Sequence, residues 1–175
     1  MVMSINLDLF YFINNNLQNP FLDWLMPAVT NFGGFVALFF ICIIVIIIAK
    51  LFDHAHVKKI AILCLLSLLI ADGIALVLKY AVAEPRPFVA LDNVRLLISE
   101  SDMNSFPSGH ATSTFSVIAV LLFKLKNNYI KVILAIFAIL IAFSRIYVGV
   151  HYPHDVVCGT VLGIAVAYAV CYFNL

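Results

Sequence analysis

Long apolar runs, broken at intervals by short polar stretches, set the rhythm of this chain. The runs over 33–51, 58–80, 108–123, 129–148 and 153–173 each approach the about 20 residues that an α-helix needs to cross a bilayer, the third lying near the short limit. Inside hydrocarbon a backbone must satisfy its own hydrogen bonds, so these runs predict helices. The fold class expected is all-α, a polytopic transmembrane helix bundle with five full spans. Two shorter apolar pieces, 6–16 and 20–31, come first and are separated by the break NNNLQNP. The first is expected to lie in the interface, with Leu7, Phe10, Tyr11 and Ile13 on one side. The second carries Asp23, Trp24 and Pro27, which predicts a partial or re-entrant helix. Together the pair allows a sixth crossing.

Composition strengthens the membrane reading: 65% of residues are hydrophobic, 11% are charged and the mean hydropathy is +1.11. A length of 175 residues without a linker, repeat or charge block predicts one domain spanning 1–175. The net charge of +1 gives no field to gather nucleic acid, so no nucleic-acid partner is expected and any cationic function must be local. Cys42, Cys64, Cys158 and Cys171 lie in apolar runs without a CxxC pair and read as small buried hydrophobes. The start MVMSINLDLF has no basic segment or small-residue cleavage site, so the apolar spans themselves are expected to direct insertion.

Lysines orient the spans. Six of the seven fall in two connections, Lys50, Lys58 and Lys59 in the first and Lys124, Lys126 and Lys131 in the third. The positive-inside rule puts both in the cytoplasm. Lys79, Arg86, His110, Arg145 and His151 each lie an odd number of crossings away, so they meet at the other, extracytoplasmic face. The loop 81–107 joins the first two polar clusters there, 79–87 and 106–110, and holds Asp92, Arg95, Glu100 and Asp102. A multi-pass cell-membrane protein with its chemistry outside is the expectation.

That chemistry resides in three interruptions, KYAVAEPRP (79–87), FPSGH (106–110) and SRIYVGVHYPHD (144–155). A phosphoryl group in transfer spreads negative charge over three equatorial oxygens, which fixed donors stabilise. Lys79, Arg86 and Arg145 can supply them; equally, cations at a membrane face reach toward lipid headgroups. In FPSGH, Pro107 and Gly109 shape a turn, Ser108 suits an N-cap, and the helix start beyond aims N–H groups at an anion. His110 is suited to protonate a departing oxygen, or to hydrogen-bond within the bundle. His151 and Asp155, four residues apart, share a helix face. A carboxylate holding one ring nitrogen leaves the other as a nucleophile. The same spacing fits a structural hydrogen bond or a metal pair, which His154 and His110 could join, though further ligands are scarce.

In order and spacing, K-x6-R-P, P-S-G-H and S-R-x5-H-x3-D resemble the three signature motifs of the type 2 phosphatidic acid phosphatase superfamily, which also includes vanadium-dependent haloperoxidases. The resemblance runs from Lys79 to Asp155, somewhat under half the chain. It implies that Lys79, Arg86, Ser108, Gly109 and Arg145 hold the phosphate, that His151 attacks phosphorus to form a phosphohistidine, and that Asp155 orients His151. His110 would protonate the leaving group and then activate water, with no metal and no other cofactor. EPRPFV and FSRIYVGVHYPHD most resemble the bacitracin-resistance-type undecaprenyl-diphosphate phosphatases, which implies a lipid phosphate or diphosphate partner drawn from the membrane lipids. Phosphatidic acid and phosphatidylglycerophosphate phosphatases share these residues and stay as alternatives. A haloperoxidase with His151 on vanadate is disfavoured by the spans, and a noncatalytic lipid-binding or transport protein by the complete set of His110, His151 and Asp155.

Outside the motifs, Asp72 lies mid-span, two turns before Lys79, where an ionisable group needs a partner or a cavity. Helix packing is the preferred reading, a position below the phosphate site the other. Glu84 is placed to steady Lys79 or Arg86, or simply to face water. Trp24, Tyr80, Tyr147 and Tyr152 are expected as interfacial anchors.

Overall fold

Each apolar run folds as a helix in the computed structural model, which describes residues 2–173. Eight α-helices follow in order: α1 Val2–Tyr11, α2 Pro20–Thr30, α3 Phe35–Leu51, α4 Ala55–Val82, α5 Pro87–Ala90, α6 Gly109–Lys124, α7 Asn128–Tyr147 and α8 Pro153–Phe173. Among the described residues, β-pairing is confined to one antiparallel bridge between Pro85 and Asn104. Local chemistry sets the ends. Asn19 accepts from the Leu22 amide at 3.0 Å with Pro20 in the first turn, and Asn127 accepts from the Tyr129 and Ile130 amides. α4 stops where Ala83 turns left-handed at φ 49°.

The five expected full spans resolve differently. α4, α7 and α8 are long and apolar enough to cross a membrane, at 28, 20 and 21 residues. The segment Pro20–Gly33 and α3 reach that length only as a pair, bent by 55°. The bend falls at Gly33 and Gly34, so the second N-terminal piece is part of a broken span or re-entrant loop, as its polar content foretold. α6 has 16 residues, which at about 1.5 Å each falls short of a hydrocarbon core about 30 Å thick.

α6 is nevertheless the axis of the bundle. Ala111 to Thr114 and Ser116 to Val120 are all buried, against α8, α4 and α7. Its hydroxyl-rich face is held by polar bonds: the Ser67 hydroxyl donates to the Ser116 carbonyl at 2.9 Å, and Ser113 donates to Asp72 at 2.7 Å. Thr114 reaches the Gly33 carbonyl at 3.2 Å. Interhelical bonds of this kind contribute about 0.6 kcal/mol each in a bilayer, and glycine lets helices approach closely. Gly159 and Gly163 do so on α8: a Cβ at Gly159 would sit 2.6 Å from the Ser108 carbonyl, and one at Gly163 2.6 Å from that of Thr112. Asp72 thus has the helix-packing role preferred from the sequence. Outward positions on α3, α4, α7 and α8, among them Phe40, Val77, Ile133 and Val161, stay apolar and exposed, as a lipid-facing surface requires.

The N-terminal piece turns Phe10 and Ile13 inward, buried, and leaves Ile5, Leu9 and Phe12 exposed. The expected apolar side of α1 therefore seats on protein. Two aromatic assignments need correction. Tyr147 and Tyr152 are buried rather than interfacial, Tyr147 because its hydroxyl finds a partner in Asp23 at 2.6 Å, while Trp24 and Tyr80 are exposed. Cys42 and Cys64 are buried as expected, but Cys158 points outward from α8 and Cys171 is half-buried; all four are free thiols.

Candidate active site

Four helix ends converge at one end of the bundle: the C-termini of α4 and α7 and the N-termini of α6 and α8. Lys79 and Arg145 occupy the last turns of the first two, where the helix dipole favours a cation. The amide-rich start of α6 faces the same place. Between α4 and α6, the 83–105 loop folds back on itself. The Arg86 amide donates to the Met103 carbonyl at 3.1 Å and the Ser105 amide to that of Glu84 at 2.6 Å, delivering Arg86 and Ser105 to the site.

His151 lies at the centre, 1% exposed. Gly149, at φ 86°, reverses the chain after α7, and a Cβ there would strike the Arg95 carbonyl. The His151 Nε2 is 3.1 Å from the Arg86 Nη1. A guanidinium only donates, so Nε2 accepts and the ring proton resides on Nδ1. Nδ1 faces Oδ2 of Asp155 and the Ser105 hydroxyl, each at 3.4 Å. That Oδ2 is itself fixed by the Ser105 hydroxyl and by the Tyr152 amide at 2.8 Å. The arrangement leaves the Nε2 lone pair aimed among cations.

Those cations are already paired. Lys79 contacts Asp102 at 2.8 Å and donates to the Asn104 carbonyl at 2.9 Å. Arg86 donates to the Val150 carbonyl at 3.0 Å and lies 3.6 Å from Asp102 and 3.8 Å from Glu100. Arg145, buried, donates to Glu100 and, at 2.8 Å, to the Thr30 hydroxyl on α2. Its Nε is buried without a hydrogen-bond partner among the described residues, a spare donor. Burial works to raise the Asp102 carboxyl, yet bonds from Lys79 and the Asn104 amide outweigh it and hold it below its usual range.

Ser108 N-caps α6 through the Ala111 amide at 3.5 Å, and its own amide donates to the Asp155 carbonyl at 3.1 Å, joining α6 to α8. Gly109 opens the helix, and His110 projects beside Gly34, where a Cβ would come within 3.2 Å of its Nε2. All eight residues expected from the motifs are thus gathered at one end. Sequence reasoning missed Ser105, Thr30 and the two loop carboxylates as partners of these residues. Glu84 touches neither Lys79 nor Arg86; its carboxylate contacts His154 at 2.9 Å, and Glu100 and Asp102 take the cations instead. A GxxxG run at 159–163 was the readable signal for the α6–α8 contact.

The PAP2 superfamily matches residues 60–175, which holds all eight of these residues. The chain belongs to the PAP2 superfamily. It is a membrane lipid phosphatase of that superfamily, similar to the undecaprenyl-diphosphatase of Sulfolobus acidocaldarius at 34% identity over 92% of this chain and 74% of the relative. Undecaprenyl-diphosphatase BcrC of Bacillus subtilis is 35% identical over 86% of this chain and 74% of its own. The crystal structure of a transmembrane PAP2-type phosphatidylglycerolphosphate phosphatase from Bacillus subtilis superposes with a TM-score of 0.83 at 25% identity, covering 99% of this chain and 86% of that one.

In this PAP2 phosphatase, burial holds the His151 imidazole well below its usual range, and Arg145, Arg86, Lys79 and His110 push the same way. The unfolded chain takes up that proton near the usual imidazole pKa of about 6.5, while the folded one does not. Stability is therefore complete above about pH 6.5 and falls as pH drops below it, by up to about 1.4 kcal/mol per pH unit. Thermal midpoints in detergent at a fixed scan rate should decline below that pH, and His151→Asn should flatten the slope. An unchanged slope in the variant would place the acid sensitivity elsewhere.

Proposed function

We propose that this protein removes the terminal phosphate of a polyprenyl diphosphate through a phosphohistidine at His151, at the extracytoplasmic end of a five-crossing bundle. The carrying observation is the buried His151, with its protonated nitrogen toward Asp155, its Nε2 against Arg86, and the charges of Lys79 and Arg145 acting on the ring. Nε2 attacks phosphorus in line with the lipid-side oxygen; the N–P bond forms as the P–O bond breaks, and His110 gives its proton to the departing lipid phosphate. His110 then takes a proton from water, whose oxygen attacks phosphorus, releasing inorganic phosphate and restoring His151. Ser108 and Gly109 at the α6 start, with the spare Arg145 donor, complete the cradle for the equatorial oxygens. Substrate phosphate takes the places of Glu100 and Asp102 on the cations.

The crossing count treats α6 as a span, short but wrapped by longer neighbours, and the bent α2–α3 pair as another. Lys50, Lys58, Lys59, Lys124, Lys126 and Lys131 lie at the end of the bundle opposite the site, which supports an outward-facing active site. The names of the similar undecaprenyl-diphosphatases support the polyprenyl diphosphate, and the structural likeness to a phosphatidylglycerolphosphate phosphatase supports a second reading with that lipid as substrate.

A phosphate-release panel separates these readings. Purified protein should release phosphate fastest from a polyprenyl diphosphate, more slowly from phosphatidylglycerophosphate and phosphatidic acid, and equally well in chelator. Preference for phosphatidylglycerophosphate would replace the first substrate with the second. Activity lost in chelator and restored by a divalent ion would defeat the metal-free mechanism.

A further inference from the structure

Behind the carboxylate that faces His151 lies a second polar cluster for which this chemistry has no use. His154 Nε2 is 2.9 Å from Oε2 of Glu84 and 3.1 Å from Oδ1 of Asp155, and the three atoms all lie within 4.8 Å of one another. Oδ1 of Asp155 is buried and accepts no hydrogen bond among the described residues, although its twin Oδ2 is fully engaged. Nε2 carries at most one proton, and its hydrogen bond goes to Glu84, which leaves Oδ1 of Asp155 without one. With the proton on Nδ1, all three atoms offer lone pairs within 4.8 Å of one another.

The imidazole is held in that direction. Its ring stacks on Phe106, at a centroid distance of 5.9 Å, and on Tyr152, at 5.6 Å, while the His154 amide donates to Asn6 Oδ1 at 3.0 Å. A cavity of about 700 Å³, bordered by Glu84, His154, Asn6, Leu91 and Tyr152, opens onto the cluster and gives an ion a way in. We propose that Glu84, His154 and Asp155 bind a zinc-class divalent cation that inhibits the enzyme from the reverse side of Asp155. One nitrogen and two carboxylate oxygens suit that ion, whose tetrahedral ligands stand about 3.4 Å apart, and the cavity side leaves the fourth position open. A cation on Oδ1 draws charge from the carboxylate that orients His151, so the nucleophile loses its partner. The inhibition rests on the role proposed above for Asp155; the binding does not.

The test uses purified full-length protein in detergent, titrated with Zn2+ and followed by calorimetry and by phosphate release. Wild type should bind Zn2+ with loss of release, reversed by chelator. His154→Gln and Glu84→Gln, which leave the catalytic groups in place, should keep basal release while binding and inhibition each weaken about tenfold or more. Equal Zn2+ affinity in wild type and both variants, or none in wild type, would overturn the site. Binding lost in the variants but without inhibition in wild type would overturn the coupling to Asp155. Binding lost in the variants, from a wild type inactive on every lipid, would leave the cation site standing and strike the proposed phosphatase reaction instead.

Discussion

His151→Ala is expected to lower phosphate release by on the order of 10⁴-fold or more, the scale on which removal of an enzymatic nucleophile acts. The geometry allows little substitution for it. Nε2, 3.1 Å from Arg86, is the proposed nucleophile, and the proposed reaction already assigns His110 to proton transfer. The variant should still fold, because Oδ2 of Asp155 keeps the Ser105 hydroxyl and the Tyr152 amide. Rapid quenching of wild type during turnover should trap an acid-labile phosphate on the protein that the variant lacks. Substantial release from pure His151→Ala protein would remove His151 from the reaction, whatever the substrate.

The second large effect is expected where α6 and α8 touch, one turn beyond Asp155. In Gly159→Val the new Cβ would meet the Ser108 carbonyl at 2.6 Å and the Thr112 hydroxyl at 2.9 Å. One is backbone and the other is bonded to that same carbonyl, so neither yields without moving the start of α6. Overpacking of this kind costs about 3 kcal/mol. Because the Ser108 amide also binds the Asp155 carbonyl, the displacement parts His110 from His151 and Asp155. A misplacement of about 1 Å is worth about 100-fold in rate, so release should fall by that order together with the thermal midpoint. Gly159→Ala should lie between. A valine variant with wild-type midpoint and activity would show that α6 and α8 need not approach so closely.

How much of this was legible in the chain depended on what each feature leaves in the sequence. Helix positions followed from apolar run length, because a bilayer imposes that length directly. Convergence of Lys79, His110, Arg145 and His151 followed from counting crossings. The α2–α3 bend was only half legible: Pro27 and Asp23 marked the first piece as unusual, but no residue pattern joined it to α3 across Gly33 and Gly34. The loop carboxylates were visible as residues and unreadable as partners, since 91–104 has no periodicity that fixes where Glu100 and Asp102 point. Tyr147 misled for a related reason. An aromatic near a helix end looks the same whether it meets headgroups or a buried acid, and only the fold brings Asp23 within reach from 124 residues away.

Helix ends, rather than helix middles, carry the site, and this sets the traffic of the proposed reaction. A lipid whose phosphate reaches that depth keeps its hydrocarbon tail in the bilayer throughout, so the substrate arrives by two-dimensional diffusion and is never extracted. Cleavage then sends the two products into different phases, the shortened lipid back into the membrane plane and the inorganic phosphate into water. Separated in this way, the two products rarely meet again at His151.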